Sequence, residues 1–115
     1  MARIQPNTYT LRIPQRATLE EAITLKASGV AVNLTGYTVV ASIWKEEKRR
    51  TKIADLTVTY VNRATGQIKL SLTRAQTRAI TKGGFWDLLV IEPGGAADYW
   101  LEGPAVLDPG LADDV

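Results

Sequence analysis

The chain has 115 residues, which fits a single domain large enough to fold around its own core. It contains no cysteine and no histidine. This composition excludes thiol nucleophiles, disulfides, cysteine- and histidine-based zinc sites and serine-histidine-aspartate triads. The net charge of +2 is too small to predict nucleic-acid binding by itself.

The charges are distributed unevenly along the chain. All fourteen Lys and Arg residues lie at or before Lys82, together with five acids, so the first 82 residues carry +9. The last 33 residues contain seven acids and no base, so they carry −7. Either basic and acidic strands lie beside each other within one monomer, or a basic face meets an acidic face on the next copy.

The N-terminal sequence lacks the apolar stretch of a signal peptide, and no segment reaches the roughly 20 apolar residues of a membrane helix. We therefore expect synthesis in a cytoplasm, without export and without membrane binding. We expect one domain over residues 1–115, in which 1–7 form a flexible arm and 108–115 a loose acidic tail.

Most of the chain alternates polar and apolar residues with the period of two that indicates β-strands. In chain order, the predicted strands span 8–13, 19–27, 38–45, 53–62 (one strand or two), 67–72, 85–91 and 98–107. The residues Thr73-Arg74-Ala75-Gln76 fit a capping box, which predicts a short helix ending near Ile80. About seven short strands with regular turns are typical of a single antiparallel β-sandwich, here with one short helix in a crossover.

No group of residues has the spacing of an active site. Glu20 and Glu21 are adjacent on a predicted strand, so their side chains point to opposite faces. The pairs Gly83-Gly84 and Gly94-Gly95 lack the Lys and Ser/Thr that follow the glycines of a phosphate-binding loop. We therefore expect no enzymatic activity, no cofactor and no metal.

A charged loop between two predicted strands contains the only basic cluster of the sequence. Its basic residues are Lys45, Lys48, Arg49, Arg50 and Lys52. Such a cluster is able to contact phosphates. Two glutamates interrupt it, however, and no aromatic stacking platform accompanies it. A solvated hairpin tip explains the loop better than nucleic-acid binding does.

Apolar residues on both faces of two predicted strands indicate a second apolar surface besides the core. Phe85 and Trp86 are neighbours on one strand, so they point to opposite faces. If Trp86 faces the core on this strand and Val39 faces it on the other, the expected outward row consists of Val40, Trp44, Phe85, Leu89 and Ile91. This row is more apolar surface than a monomer normally exposes, so it predicts a contact with another copy, another protein or a crossover segment of the same chain.

Three segments share an order and spacing with a known group of proteins. They are 33–38 (NLTGYT), 66–73 (GQIKLSLT) followed by Gln76-Thr77, and 83–90 (GGFWDLLV). Together they resemble small virion proteins of tailed phages, in particular the N-terminal domain of phage baseplate upper proteins. The chain departs from that pattern where Asn33 replaces an Asp, where two aromatic residues are adjacent, and where Val40 and Trp44 replace polar residues.

The resemblance implies an immunoglobulin-like β-sandwich in a virion, made in the host cytoplasm and without enzymatic activity. It implies a small multi-copy adaptor in the tail, baseplate or fibre-attachment region. Its partners would be other virion proteins and other copies of itself. A capsid cement or decoration protein is the first alternative. A carbohydrate-binding β-sandwich module, with exposed Trp residues stacked on sugars, is the second.

Overall fold

The computed structural model describes residues 7–27, 29–46 and 51–108. Ten strands, one α-helix and one 3-10 turn lie within these ranges. The strands are β1 (Asn7–Thr8), β2 (Leu11–Pro14), β3 (Leu19–Thr24), β4 (Lys26–Ala27), β5 (Val30–Ala31), β6 (Thr38–Trp44), β7 (Lys52–Asn62), β8 (Gln67–Leu72), β9 (Gly84–Ile91) and β10 (Ala97–Asp108). The helix α1 spans Arg74–Ala79, and the 3-10 turn spans Arg63–Thr65.

The larger strands form two sheets that share β7. One sheet contains β10, β9, β6 and the first half of β7, with β1 and β2 along the outer edge of β10. The other contains β3, β8 and the second half of β7. β7 pairs with β6 up to Leu56 and with β8 from Thr57 onward, so a single strand passes from one sheet to the other.

The strand order is that of an immunoglobulin-like sandwich. In that fold, strands C, F and G form one sheet, and strands B, E and D belong to the other. Here β6, β9 and β10 take the first set of positions, and β3, β8 and the second half of β7 take the second. The helix α1 lies in the connection from β8 to β9, which crosses between the sheets. The predicted all-β fold with one short helix in a crossover is therefore confirmed. The paired strands nevertheless form one continuous path from β1 to β3 through β7.

The predicted number of strands and their wholly antiparallel arrangement are wrong. The strand predicted at 8–13 divides into β1 and β2 because the carbonyl of Tyr9 accepts a hydrogen bond from the indole of Trp86. The strand predicted at 19–27 divides into β3 and β4 at Leu25, whose N–H donates to Gly66 and whose carbonyl accepts from Val32. In addition, β1 and β2 pair with β10 in parallel.

The ends of the described chain also differ from the prediction. Asn7 belongs to β1 opposite Leu101, and Asp108 belongs to β10 opposite Pro14, so neither residue is part of a free arm or tail. The rest of the predicted arm and tail, 1–6 and 109–115, lies outside the described residues. Within the described ranges, no helix is long and apolar enough to cross a membrane.

The core follows the predicted alternation of β6 and β9. The inward residues of these strands are all buried: Val39, Ala41, Ile43, Trp86, Leu88 and Val90. Trp86 is fully buried, and its indole N–H lies 2.6 Å from the carbonyl oxygen of Tyr9. The two rings meet edge to face with centroids 5.9 Å apart, a geometry that contributes about 0.5–1.5 kcal/mol beyond the buried area. This contact ties the N-terminal strands to the centre of the sandwich.

Candidate interaction face

The outer face is the side of the β10–β9–β6–β7 sheet that points away from the core. Across the β6–β9 ladder, the opposed pairs on this side are Thr38 with Ile91, Val40 with Leu89, Ser42 with Asp87, and Trp44 with Phe85. Opposed residues share a face and lie within contact distance of each other. The structure therefore brings the whole predicted outward row together on two neighbouring strands.

The members of the row differ in exposure. Val40 is exposed to 41%, whereas Trp44, Phe85, Leu89 and Ile91 are half-buried. Their partial burial shows that neighbouring atoms cover part of each side chain. Half-buried aromatic residues in an apolar surface are typical anchors of protein interfaces.

The strand β10 extends the outer face in a way that the sequence pattern did not reveal. Tyr99 lies opposite Leu89 and is exposed to 41%, and Pro104 lies opposite Phe85. The register shifts between Tyr99 and Leu101, so Trp100 is an extra residue in a β-bulge. A bulge reverses the alternation of every later residue. A strict period of two therefore could not predict which residues of β10 face outward.

A buried polar pair interrupts the apolar surface. Ser42 and Asp87 lie opposite each other between the apolar pairs, and both are buried. The indole N–H of Trp44 donates to Asp87 Oδ1 at 3.2 Å. The hydroxyl of Ser42 donates to Asp55 Oδ1 on β7 at 2.8 Å. In the described part of the chain, no buried side-chain polar atom lacks a hydrogen-bond partner, so this polar centre is fully satisfied.

Lys52 lies at the end of the outer face next to the basic loop, called here its basic end, and contacts Trp44 there. Lys52 Nζ lies 3.1 Å from Asp55 Oδ1 and 5.6 Å from the centre of the Trp44 ring. Together with the bond to Asp87, this cation–π contact restricts the indole on both sides. Lys52 and Lys45 are the described members of the predicted basic cluster, and both are exposed. Lys48, Arg49 and Arg50 lie outside the described residues.

The carboxyl of Asp55 is held in its charged form. The hydrogen bond from Ser42, followed by that from Lys52, lowers the pKa of Asp55 below its ordinary value. Its side chain is 61% exposed, so solvent screening limits the contribution of the Lys52 ion pair to stability. The basic end of the face therefore carries a fixed carboxylate beside an exposed ammonium group.

The acidic pair considered in the sequence does not form a site. Glu20 pairs with Lys69 Nζ at 3.0 Å, whereas Glu21 accepts a hydrogen bond from the Tyr9 hydroxyl. The bond to Glu21 raises the pKa of Tyr9. Across the described ranges, no group of three or more acidic side chains is placed to hold a metal ion.

A comparison with known protein families finds no match, and a comparison with curated protein sequences finds none either. Among solved structures, a similar chain occurs in the crystal structure of the ZIG-8–RIG-5 IG1–IG1 heterodimer in its monoclinic form. The TM-score is 0.45 and the identity 7%, over 92% of this chain and 90% of that one. This likeness is too distant to support an argument about function. The strand order defines the chain as an immunoglobulin-like β-sandwich domain independently of it.

Proposed function

We propose that this chain is a non-enzymatic structural subunit that assembles with other proteins through the outer face. The observation that carries the proposal is the apolar surface of Val40, Leu89, Tyr99, Trp44 and Phe85 across three neighbouring strands, on either side of the buried pair Ser42 and Asp87. A second copy of the chain is the partner that the first experiment tests. The wider context is a tailed-phage virion, in which the chain acts as a multi-copy adaptor of the tail, baseplate or fibre-attachment region.

The fixed position of Trp44 favours binding to a protein. An interface residue that is mobile before binding loses rotamer freedom on association, at about 0.5–1.5 kcal/mol per side chain. The indole of Trp44 is already restrained by Asp87 on one side and Lys52 on the other. It therefore presents its apolar surface with little further loss of entropy.

The virion context rests on the three segments that resemble phage baseplate proteins. Segment 83–90 covers most of β9 and supplies Phe85 and Leu89 to the outer face. Segment 66–73 covers β8 and the cap of α1. Segment 33–38 forms a turn in which Asn33 Oδ1 accepts from the Thr35 N–H at 3.0 Å. The Asn that replaces the usual Asp thus still closes this turn.

The first test measures the mass of the purified chain by light scattering over a range of protein and salt concentrations. We expect a closed oligomer that dissociates on dilution. We expect Val40→Glu to shift the mass to the monomer, because it places a charge at the centre of the apolar surface. A wild-type chain that stays monomeric under all conditions would overturn assembly with itself.

The matched control places the same charge on a different surface. Val61 is exposed to 60% on the second half of β7, in the other sheet. We expect Val61→Glu to leave the oligomeric mass unchanged. Equal dissociation by Val61→Glu and Val40→Glu would show that added negative charge, and not loss of the outer face, is responsible.

The virion context has a separate test. Phage particles produced from the natural gene cluster are purified by density gradient, and their proteins are quantified by mass spectrometry. The proposal predicts this chain in several copies per particle, in the tail fraction after heads and tails are separated. Recovery with the heads favours the capsid decoration protein. Absence from the particles contradicts both.

A further inference from the structure

A small pocket lies between the end of the helix α1 and the start of β7, next to the basic loop. Its volume is about 140 Å³. The apolar part of its lining is formed by Ile80, which is buried, Ile53, which is half-buried, and Ala79, which is exposed. Pockets for drug-sized molecules occupy roughly 300–1,000 Å³. This pocket is therefore of a size to take one aliphatic side chain.

The charges around the pocket are unequal. Lys45 and Lys82 belong to its lining and are both exposed, and the described lining contains no Asp or Glu. On the far side of Ile53, Asp55 and Gln76 line an adjoining pocket instead. An ammonium group beside a carboxylate forms a charge-assisted hydrogen bond. The pocket therefore fits a segment that combines an aliphatic side chain with carboxylates on the side of the two lysines.

The strand β10 ends beside this pocket. The N–H of Gln15 donates to the Asp108 carbonyl at 2.8 Å, and the Gln15 Nε2 donates to the carbonyl of Ile80 at 3.1 Å. Gly83, which also lines the pocket, packs closely against β10, since a Cβ built on it would lie 2.6 Å from the carbonyl oxygen of Ala105. The chain that follows Asp108 therefore leaves the fold a short distance from the pocket.

The residues that follow are 109–115, with the sequence PGLADDV, called here the acidic segment. They lie outside the described ranges. Leu111 is the third residue after Asp108, so extended chain of about 10–11 Å connects them. Asp113 and Asp114 follow, and the segment contains no Lys or Arg. The acidic segment therefore offers an aliphatic side chain and two carboxylates within reach of the pocket and its lysines.

We infer that the acidic segment binds to its own chain, with Leu111 in the pocket and Asp113 and Asp114 beside Lys45 and Lys82. Burial of the leucine removes apolar surface from water, and the charge pairs set the direction of the segment. The short connection keeps the entropic cost of closing the loop small. None of the outer-face row lines the pocket, so the inference does not depend on the proposed assembly.

The test uses a nitroxide label on the full-length variant Val115→Cys. The natural chain contains no cysteine, so the label attaches at this position alone. Paramagnetic broadening of the backbone N–H signals of the ¹⁵N-labelled chain shows which residues the label approaches. The reference is the same label in Leu111→Ser, whose segment is equally long but lacks the aliphatic side chain. We expect the broadening at Ala79 and Lys82 to be clearly stronger with Leu111 than with Ser.

Two lysine variants show whether the charges contribute. We expect Lys82→Gln to lower the ratio of bound to unbound segment about two- to fivefold, as for an exposed ion pair. Lys26→Gln removes an exposed lysine from β4, outside the pocket lining, and should leave the ratio unchanged. Equal losses in the two variants would show a general charge effect and would overturn the site.

Two further outcomes overturn the inference. Equal broadening with Leu111 and with Ser would show that the segment is attached near the pocket but does not bind in it. A mixture of spin-labelled unenriched chains with unlabelled ¹⁵N chains detects contacts between copies. Broadening of Ala79 and Lys82 as strong in this mixture as in the single sample would show that the pocket takes the segment of a neighbouring copy. A monomeric result in light scattering leaves the inference intact, so its failure and that of the proposed assembly are distinguishable.

Discussion

Among the glycines of the described ranges, Gly84 has the closest neighbour, the backbone of Trp44 on the adjacent strand. A Cβ atom built on Gly84 would lie 2.1 Å from the carbonyl oxygen of Trp44. Because the obstacle is backbone and not a flexible side chain, Gly84→Ala must push β9 away from β6. We expect the variant to lose about 1–3 kcal/mol in the free energy of unfolding, measured by urea denaturation.

Gly94→Ala is the matched control for this prediction. A Cβ built on Gly94 meets nothing within 4 Å, so we expect a change of less than about 0.5 kcal/mol. If Gly84→Ala were as stable as Gly94→Ala, the close approach of the two strands beside Trp44 would be wrong.

A second prediction at this scale concerns the polar contacts beside the apolar surface. The hydrogen bond from Ser42 is the largest single cause of the lowered pKa of Asp55, and Lys52 lowers it through both a hydrogen bond and its charge. We therefore expect Ser42→Ala and Lys52→Met each to raise the pKa of Asp55 towards its ordinary value. A ¹³C NMR titration of the side-chain carboxyl measures both. An unchanged pKa in Ser42→Ala would contradict the assigned cause.

The lowered pKa of Asp55 also fixes the sign of its effect on stability. A carboxyl whose pKa is lower in the folded chain stabilises the fold above its unfolded pKa. This contribution is lost as the pH falls through the folded value. The stabilisation from Asp55 is therefore present at neutral pH and disappears in acid. It is small, because most of the side chain is in solvent.

At the scale of elements, the clearest prediction concerns the start of α1. Thr73 Oγ1 accepts from the Gln76 N–H at 3.2 Å, and Gln76 Oε1 accepts from the Thr73 N–H at 2.8 Å. Removal of an N-cap hydroxyl typically costs about 1 kcal/mol. We expect Thr73→Ala to lower the free energy of unfolding by that amount in urea denaturation. Thr73→Ser keeps the hydroxyl and should retain most of the stability, whereas an equal loss in both variants would contradict the cap.

Local signals explain which elements could be predicted. The alternation of polar and apolar residues predicted the boundaries of β8. The capping box could be predicted because its side chains bond to backbone groups only a few residues away. The divisions at Tyr9 and Leu25 depend on hydrogen bonds to Trp86 and Gly66, which are distant in the sequence. Alternation within one segment carries no information about such contacts. For the same reason, the parallel pairing of β1 and β2 with β10 could not be predicted.

At the scale of the whole molecule, part of the candidate site could be predicted. The strands β6 and β9 are regular where they pair with each other, so their alternation placed the row from Val40 to Ile91 correctly. The orientation of the β10 residues that follow Tyr99 depends on the bulge at Trp100, which the sequence pattern does not reveal. The sequence also left open where the basic and acidic parts meet. The ion pairs Lys52–Asp55 and Lys69–Glu20 both lie within the basic part.

The last prediction separates folding from assembly in the whole molecule. Leu70 is fully buried, so Leu70→Ala should lower the free energy of unfolding by about 2–5 kcal/mol. Phe85 is half-buried on the outer face, so Phe85→Ala should cost less stability and yet shift the oligomer towards the monomer. Urea denaturation, at a protein concentration low enough to keep the chain monomeric, measures the loss of stability. Light scattering measures the shift from oligomer to monomer. If Phe85→Ala unfolds as readily as Leu70→Ala, Phe85 belongs to the core and the outer face loses one of its aromatic anchors.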